Sequence, residues 1–224
     1  MRVRQVAGGG RAVEVAPERL TRWFEGFARR NGGVARTVLA ADEVVVHAGD
    51  GTTATVAVPF GPLDVSGDHA SLAIEPLVEH VTRPRRIGLL LVRLGAHSMG
   101  VAEGDRVVIS RTDRHLVHGR NAAGGWSQHR FARRRDKQAR EALERVARDA
   151  YEVLVPELAT LDAVVLGGDR KAVDELRADA KLGPLFARAE PRLLELGEPR
   201  RSVLDEAAVQ ARAVEIVIRH SRRA

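Results

Sequence analysis

Residues 86–93 read Arg-Ile-Gly-Leu-Leu-Leu-Val-Arg, an almost unbroken apolar stretch. A strand with one solvent-facing side alternates apolar and polar residues, whereas a strand buried on both faces reads as a continuous apolar run. Residues 86–93 therefore predict a strand near the centre of a sheet.

The elements after this strand predict the fold class. Two more strands are expected at 98–103 and 105–112, with 115–118 extending the antiparallel meander. A long helix is expected from about 129 to 159, because its apolar residues recur three, four or seven positions apart. The rest of the segment predicts a strand at 163–168, a helix capped by Asp169, a strand at 192–196 and a helix at 204–219.

This order, β-β-β-α-β-α-β-α, predicts an α+β or α/β domain in which helices cover a mixed sheet. It is the order of a ribonuclease H-like domain, expected over residues 86–224. A small α+β domain is expected over residues 1–82, with its first ten residues forming a loose tail that ends at Gly10. Its predicted elements are strands at 12–15, 36–40, 44–48 and 52–60, a helix starting at Pro17 and a helix at 72–81.

Composition excludes several classes of function. The chain has no cysteine, which removes disulfides, zinc–thiolate sites and thiol nucleophiles and fits a reducing, cytoplasmic setting. No apolar run approaches the roughly 20 residues that span a bilayer, and the N-terminus lacks the pattern of a signal peptide. We therefore expect a cytoplasmic protein without a membrane partner.

The basic residues are concentrated in one segment. The net charge is +6, yet residues 111–148 alone carry eleven Arg or Lys against four Asp or Glu. This local excess of seven exceeds the excess of the whole chain, so the remainder is close to neutral. A basic segment of this kind indicates a polyanionic partner such as RNA.

A glycine loop precedes the basic helix, with the sequence Gly-Arg-Asn-Ala-Ala-Gly-Gly-Trp-Ser-Gln over residues 119–128. Adjacent glycines allow close approach to another surface, and a tryptophan can stack on a base. The candidate catalytic residues are Gly124, Gly125 and Gln128. The candidate RNA-binding residues are Arg120, Trp126, Ser127, His129, Arg130, Arg133, Arg134, Arg135 and Lys137.

Each of these features also has a simple structural explanation. A Gly-Gly pair is commonly a turn, a run of arginines is commonly a solvated helix face, and a lone loop tryptophan commonly packs on its own domain. All of these features fall within about 20 residues here, and their coincidence favours a functional loop.

The sequence Gly125-Trp126-Ser127-Gln128, followed by a basic run to Arg135, resembles the G-x-x-Q loop of the Vms-like release factors, most closely their actinobacterial branch. That family is similar to the catalytic domain of eukaryotic and archaeal class I release factors, which carry Gly-Gly-Gln. The resemblance covers roughly residues 86–220. It implies a ribonuclease H-like fold, binding to the large ribosomal subunit, and release of stalled nascent chains from peptidyl-tRNA. Gly125 and Gln128 match the loop glycine and the catalytic glutamine.

The insertion of Trp126-Ser127 into the Gly-Gly-Gln pattern leaves two reactions open. Either the peptidyl-tRNA ester is hydrolysed, or the tRNA is cut near its 3′ end. A glutamine is not a general base at neutral pH, so it would position water and stabilise charge. Neither route needs a metal or a cofactor, and we predict none.

Two other functions compete with hydrolysis. One is a non-catalytic RNA- or ribosome-binding protein that uses the same basic face. The other is a metal-dependent nuclease, which needs inward-facing carboxylates that residues 87–94 lack. Asp105 and Asp113 are interpreted as turn residues, and Gly167-Gly168-Asp169 as a helix-entry turn. The histidines at 47, 69, 80 and 97 lack metal-ligand spacing and are interpreted as structural.

Overall fold

The computed structural model describes residues 3–93, 95–114 and 127–220, and for residues 127–136 it describes the backbone alone. The chain divides into two compact units, one comprising Met1–Pro84 with Arg212–Ala224 and the other Arg85–Ala211. Each unit has its own β-sheet. None of the helices in the described part of the chain combines the length and apolarity needed to cross a bilayer.

The strands, in chain order, are β1 (Val3–Gln5), β2 (Arg11–Val15), β3 (Val34–Leu39), β4 (Glu43–Ala48), β5 (Thr53–Ala57), β6 (Gly67–His69), β7 (Arg86–Arg93), β8 (Ala96–Glu103), β9 (Arg106–Arg114), β10 (Ala163–Gly168), β11 (Ala189–Leu194) and β12 (Val214–Arg219). The α-helices are α1 (Leu20–Arg30), α2 (Glu75–Thr82), α3 (Ser127–Val153), α4 (Arg170–Leu176), α5 (Gly183–Phe186) and α6 (Arg201–Arg212).

The first unit is an antiparallel sheet in the order β1-β2-β12-β5-β4-β3-β6. Its core lies on the face where α1 packs, because the helix presents Leu20, Phe24 and Phe27 at helical spacing and all three are buried. Alternate strand residues such as Val44 and Val46 complete this core.

Two predictions for the first unit were wrong. The segment expected to be a loose tail contains β1, which pairs with β2. Residues 214–219, expected to continue a helix from 204, form β12 instead, between β2 and β5. The reason is visible in the sequence, since Val214, Ile216 and Ile218 are β-branched and alternate along the chain, and all three are buried.

The second unit is a mixed sheet in the order β11-β10-β7-β8-β9. β7, β8 and β9 are antiparallel neighbours, whereas β10 runs parallel to β7 and β11 runs parallel to β10. The prediction that residues 86–93 form a central strand is confirmed, since Ile87 to Val92 are all buried. The chain is thus a mixed α+β protein with two sheets.

The turn at Gly168 is the helix entry that the sequence predicts. Gly168 has a φ of +100°, and an added Cβ would lie 2.1 Å from the carbonyl oxygen of Val92. Asp169 caps α4 by accepting a hydrogen bond of 3.0 Å from the backbone N–H of Lys171. Because the end of β10 comes this close to β7, only glycine fits at position 168.

Candidate catalytic loop and its supporting helix

The predicted site residues divide into three groups. Arg120, Gly124, Gly125 and Trp126 lie outside the described residues. Lys137 has a described side chain, and it is exposed. The helical backbone of α3 carries the others, which are Ser127, Gln128, His129, Arg130, Arg133, Arg134 and Arg135.

The start of α3 differs from the prediction. The helix was expected from about residue 129, but it begins at Ser127. Gln128 therefore belongs to the first helical turn and not to the preceding loop. Helix boundaries read from sequence are commonly displaced by a residue or two.

More than half of the length of α3 precedes the first described side chain that is buried. Its 27 residues correspond to about 40 Å at the rise of an α-helix. Among the side chains that are described, the first buried one is Ala142, about 22 Å from Ser127. We call residues 127–141 the arm of α3.

The other half of α3 is fixed to the second unit by apolar packing. Ala142, Val146 and Ala150 are buried at intervals of four residues, and Leu154 follows just beyond the end of the helix. Val146, Ala150 and Leu154 pack in one cluster with side chains from β7, β8, β10 and α4. The arm is thus continuous with a helix whose other half is part of the core.

A polar contact fixes the same half of the helix to β8 and β9. The Nε2–H of the fully buried His97 donates to Oδ2 of Asp149 over 2.7 Å. Arg111 donates to Oδ1 of Asp149 over 3.0 Å and to Glu152 over 2.6 Å. These contacts raise the pKa of Arg111, with the hydrogen bond to Glu152 as the largest cause. We call His97, Arg111, Asp149 and Glu152 the polar anchor.

The polar anchor was only partly foreseen. The interpretation of His97 as a structural residue is confirmed by its burial and its bond to Asp149. The sequence does not identify Asp149 as the partner of His97, or Arg111 as a second partner of Asp149, because the three residues are far apart along the chain. Two features of the sequence could have indicated this contact. Asp149 directly precedes Ala150 of the apolar stripe, and His97 lies within the otherwise mostly apolar strand β8.

The last residue of β9, where the chain enters the candidate loop, is also held in place. Nε of Arg114 lies 3.8 Å from Oε1 of Glu198, whose other oxygen accepts from Arg200 over 2.7 Å. The pKa of Glu198 is lowered, first by the hydrogen bond from Arg200 and then by the charge of Arg114. The pairs are about half exposed, so they position the chain more than they stabilise it.

The described end of the arm is a solvated, charged surface. Lys137 and Arg140 are exposed, and Nζ of Lys137 lies 3.7 Å from Oε1 of Glu141. Among the described residues, no three His, Asp or Glu side chains are grouped so that they could hold a metal ion.

Comparisons with known proteins bear on the same segment. The family model described as Actinobacteria/chloroflexi VLRF1 release factor matches residues 85–217. Peptide chain release factor subunit 1 of Archaeoglobus fulgidus is 26% identical over 141 residues, which are 63% of this chain and 35% of that protein. Its counterpart in Thermococcus sibiricus is 28% identical over 103 residues, or 45% of this chain and 25% of that protein.

The crystal structure of an archaeal translation termination factor, aRF1, aligns with 88% of this chain and 70% of its own, with a TM-score of 0.45 and 13% sequence identity. The chain spans about a third or less of the length of the two curated relatives. The family model, in contrast, matches more than half of this chain, including the whole G-x-x-Q segment and α3. The chain therefore belongs to the Actinobacteria/chloroflexi VLRF1 release factor family.

Proposed function

We propose that this chain is a release-factor-like peptidyl-tRNA hydrolase that frees nascent chains from tRNA on stalled ribosomes. The observation that carries the proposal is the family match over residues 85–217, which includes the sequence Gly125-Trp126-Ser127-Gln128 at the start of α3. The curated relatives are named peptide chain release factors, which favours a role in translation termination or rescue. The partners would be peptidyl-tRNA and the large ribosomal subunit, and the location would be the cytoplasm.

The start of α3 suits a reaction in which negative charge develops. The first four backbone N–H groups of a helix have no intrahelical acceptor, and the helix dipole places partial positive charge at this end. The first turn of α3 contains no acidic residue that would offset it. Gln128 lies in this turn, so its amide would act beside several backbone donors.

The proposed step is hydrolysis of an ester. The amide of Gln128 orients a water molecule, whose oxygen attacks the carbonyl carbon that joins the peptide to the tRNA. The carbonyl oxygen gains negative charge, which the N–H groups at the start of α3 stabilise. The bond to the ribose oxygen then breaks, the ribose oxygen takes a proton, and the peptide leaves as a carboxylic acid. No metal or cofactor is required in this scheme.

The arm of α3 supports the proposal through reach and charge. It extends about 22 Å from Ser127 to the first described buried residue, Ala142. Its basic residues would follow the phosphates of RNA while Gly124, Gly125 and Trp126 approach the end of the tRNA. The packed half of α3 would resist displacement of the arm.

We also propose that the catalytic function resides in the second unit and that this unit is ribonuclease H-like. The support is the sheet order β11-β10-β7-β8-β9, in which three antiparallel strands precede the alternation of helices and strands. The first unit would then be a separate domain with a different role.

A peptidyl-tRNA release assay on purified large ribosomal subunits tests the function. Both products must be analysed, since free peptide with full-length tRNA indicates ester hydrolysis. Peptide that remains attached to a shortened tRNA fragment indicates cleavage near the 3′ end. A protein that binds the subunits and yields neither product would be a non-catalytic ribosome-binding protein, contrary to the proposal.

A further inference from the structure

A cleft in the first unit combines aromatic side chains with two arginines and a histidine. It has a volume of about 240 Å³ and is lined by residues of β1, β2, α1 and β12 and by residues that directly follow α1 and β12. Trp23 and Phe27 line it on the helix side, and Arg11, Arg30 and His220 line it as well. We call these five residues the aromatic cleft. None of them belongs to the loop or arm that carries the proposed hydrolysis.

The aromatic side of the cleft is built on a rigid cluster. The rings of Trp23 and Phe27 are stacked at 9°, with centroids 5.7 Å apart. Phe24 meets Trp23 edge-on, with centroids 5.0 Å apart. Phe24 and Phe27 are buried in the core, whereas Trp23 is only half-buried. The indole is therefore oriented by the core and still borders the cleft.

The cations of the cleft are accessible to an external anion. Within the described part of the chain, neither Arg11 nor Arg30 has a carboxylate at ion-pair distance. Arg4 and Arg36, two exposed arginines of the same unit, are instead paired, Arg4 with Glu215 at 2.9 Å and Arg36 with Asp68 at 3.3 Å. Two arginines without a described carboxylate partner thus line the same cleft as Trp23.

Arg30 and His220 each lie beside a neighbour within the first unit. Nη1 of Arg30 lies over Gly26, where an added Cβ would be only 3.0 Å away. Nδ1 of His220 lies 3.3 Å from the hydroxyl of Thr52. Both side chains are exposed, so they can move to meet a ligand.

We propose that the aromatic cleft binds one unpaired nucleotide of an RNA chain, with its base against Trp23 and the adjoining phosphates at Arg11 and Arg30. No carboxylate is among the described side chains that line the cleft, so its chemistry selects a planar anion. The volume is below the roughly 300–1,000 Å³ of pockets for drug-sized molecules, which suits a single ring system. Stacking of bases on aromatic residues flanked by cations is the usual means of binding single strands.

Intrinsic fluorescence gives a local test. The chain has two tryptophans, Trp23 and Trp126, so the full-length Trp126→Phe protein reports on Trp23 alone. We expect short single-stranded oligoadenylate to decrease this fluorescence saturably. With Trp126 replaced, neither the candidate loop nor the arm of α3 contains a tryptophan whose fluorescence RNA could change.

Two matched double variants, both in the Trp126→Phe protein, decide the assignment. Arg11→Ala with Arg30→Ala should raise the Kd measured through Trp23 by about 10-fold or more, since each charge-assisted hydrogen bond that is removed is worth about 10- to 150-fold. It should also flatten the slope of log Kd against log salt by about 0.7 for each phosphate that is no longer neutralised. Arg4→Ala with Arg36→Ala removes the same number of positive charges, but from arginines that are paired with carboxylates and lie outside the cleft. This variant should leave the Kd and the salt slope nearly unchanged.

Three results would overturn the proposal. The first is an unchanged Trp23 signal at saturating oligoadenylate. The second is an equal effect of the two double variants, which would mean that the overall charge matters and the cleft does not. The third is adenosine monophosphate binding as tightly as the oligomer, which would assign the cleft to a free nucleotide. Each result is independent of peptide release, because Gln128→Ala should not alter the Trp23 signal.

Discussion

At the scale of single residues, Gln128 is the side chain on which the proposed hydrolysis depends. Loss of one donor that stabilises charge in a transition state costs about 100- to 1,000-fold in rate. Gln128→Ala should therefore lower the rate of peptide release by about that factor. Because Gln128 lies in the first turn of α3, about 21 Å before Ala142, the first buried residue among the described side chains, the melting temperature and ribosome affinity should change little.

Gln138→Ala is the matched control for this variant. Gln138 lies on the same helix and has the same side chain, but it is about three turns from Gln128. Release by this variant should stay near the wild-type rate. If Gln128→Ala released peptide and left tRNA as the unaltered protein does, Gln128 would have no catalytic role.

The polar anchor depends on Asp149. Its carboxylate accepts from both His97 and Arg111, and its side chain is 19% exposed. Asp149→Ala removes the acceptor of a fully buried histidine nitrogen, and an unsatisfied buried donor costs about 1–3 kcal/mol. We expect a loss of unfolding free energy in this range, measured by urea denaturation of the full-length protein.

Glu152→Ala provides the comparison within the same anchor. Glu152 is 51% exposed, and Arg111 keeps Asp149 as a partner when Glu152 is removed. Exposed ion pairs contribute about 0.2–1 kcal/mol, so this change should be milder than Asp149→Ala. Equal losses for the two variants would show that burial of His97 does not set the energetic cost.

At the scale of elements, the basic side chains of the arm should govern binding to RNA. Arg133→Glu, Arg134→Glu and Arg135→Glu together should weaken binding to ribosomes or tRNA. They should also reduce the slope of log affinity against log salt by about 0.7–0.9 for each phosphate that the arm no longer neutralises. The measurement is a binding titration repeated at several salt concentrations.

The matched control reverses three exposed cations elsewhere in the second unit. Arg170→Glu, Lys171→Glu and Lys181→Glu produce the same change in net charge on and near α4. An arm-specific interaction predicts a small effect for this set. A comparable loss of affinity from both sets would mean that RNA responds to the total charge of the protein.

Element types with a clear period could be predicted from the sequence, while several features set by distant contacts could not. The apolar run of β7 and the stripe of α3 lie within one segment each, so their burial follows from local pattern. α5 is four residues long and was missed, as was β6, a three-residue strand paired to β3. Short elements like these depend on neighbours that a local pattern does not reveal.

The residues of the candidate site also fall into those that a local motif identifies and those that only distant contacts bring together. Gly125 and Gln128 are identified by a contiguous motif, and the family match includes it. The polar anchor joins His97, Arg111 and Asp149, which are separated by up to 52 positions, so sequence spacing alone could not bring them together. The aromatic cleft likewise combines α1 with strands from both ends of the chain.

At the scale of the whole molecule, the chain returns to the first unit after completing the second. β12 lies between β2 and β5, and its residues Val214, Ile216 and Ile218 are all buried. The strand is therefore internal to the sheet and not an edge addition. The family match, which ends at residue 217, includes part of a strand that belongs to the first unit's sheet.

Removal of residues 214–224 should consequently unfold the first unit while the second unit stays folded. The loss leaves β2 and β5 without their shared partner and exposes the apolar side chains that β12 covers, such as those around Val13 and Val56. Amide hydrogen exchange should then show loss of protection in β2 and β5, while β7 and β10, which pair with each other, keep theirs. Ile216→Ala is a graded version that should cost about 2–5 kcal/mol, whereas Val217→Ala, on the half-buried face, should cost less. Protection of β2 and β5 that survives the truncation would show that the N-terminal strands form a stable sheet without β12.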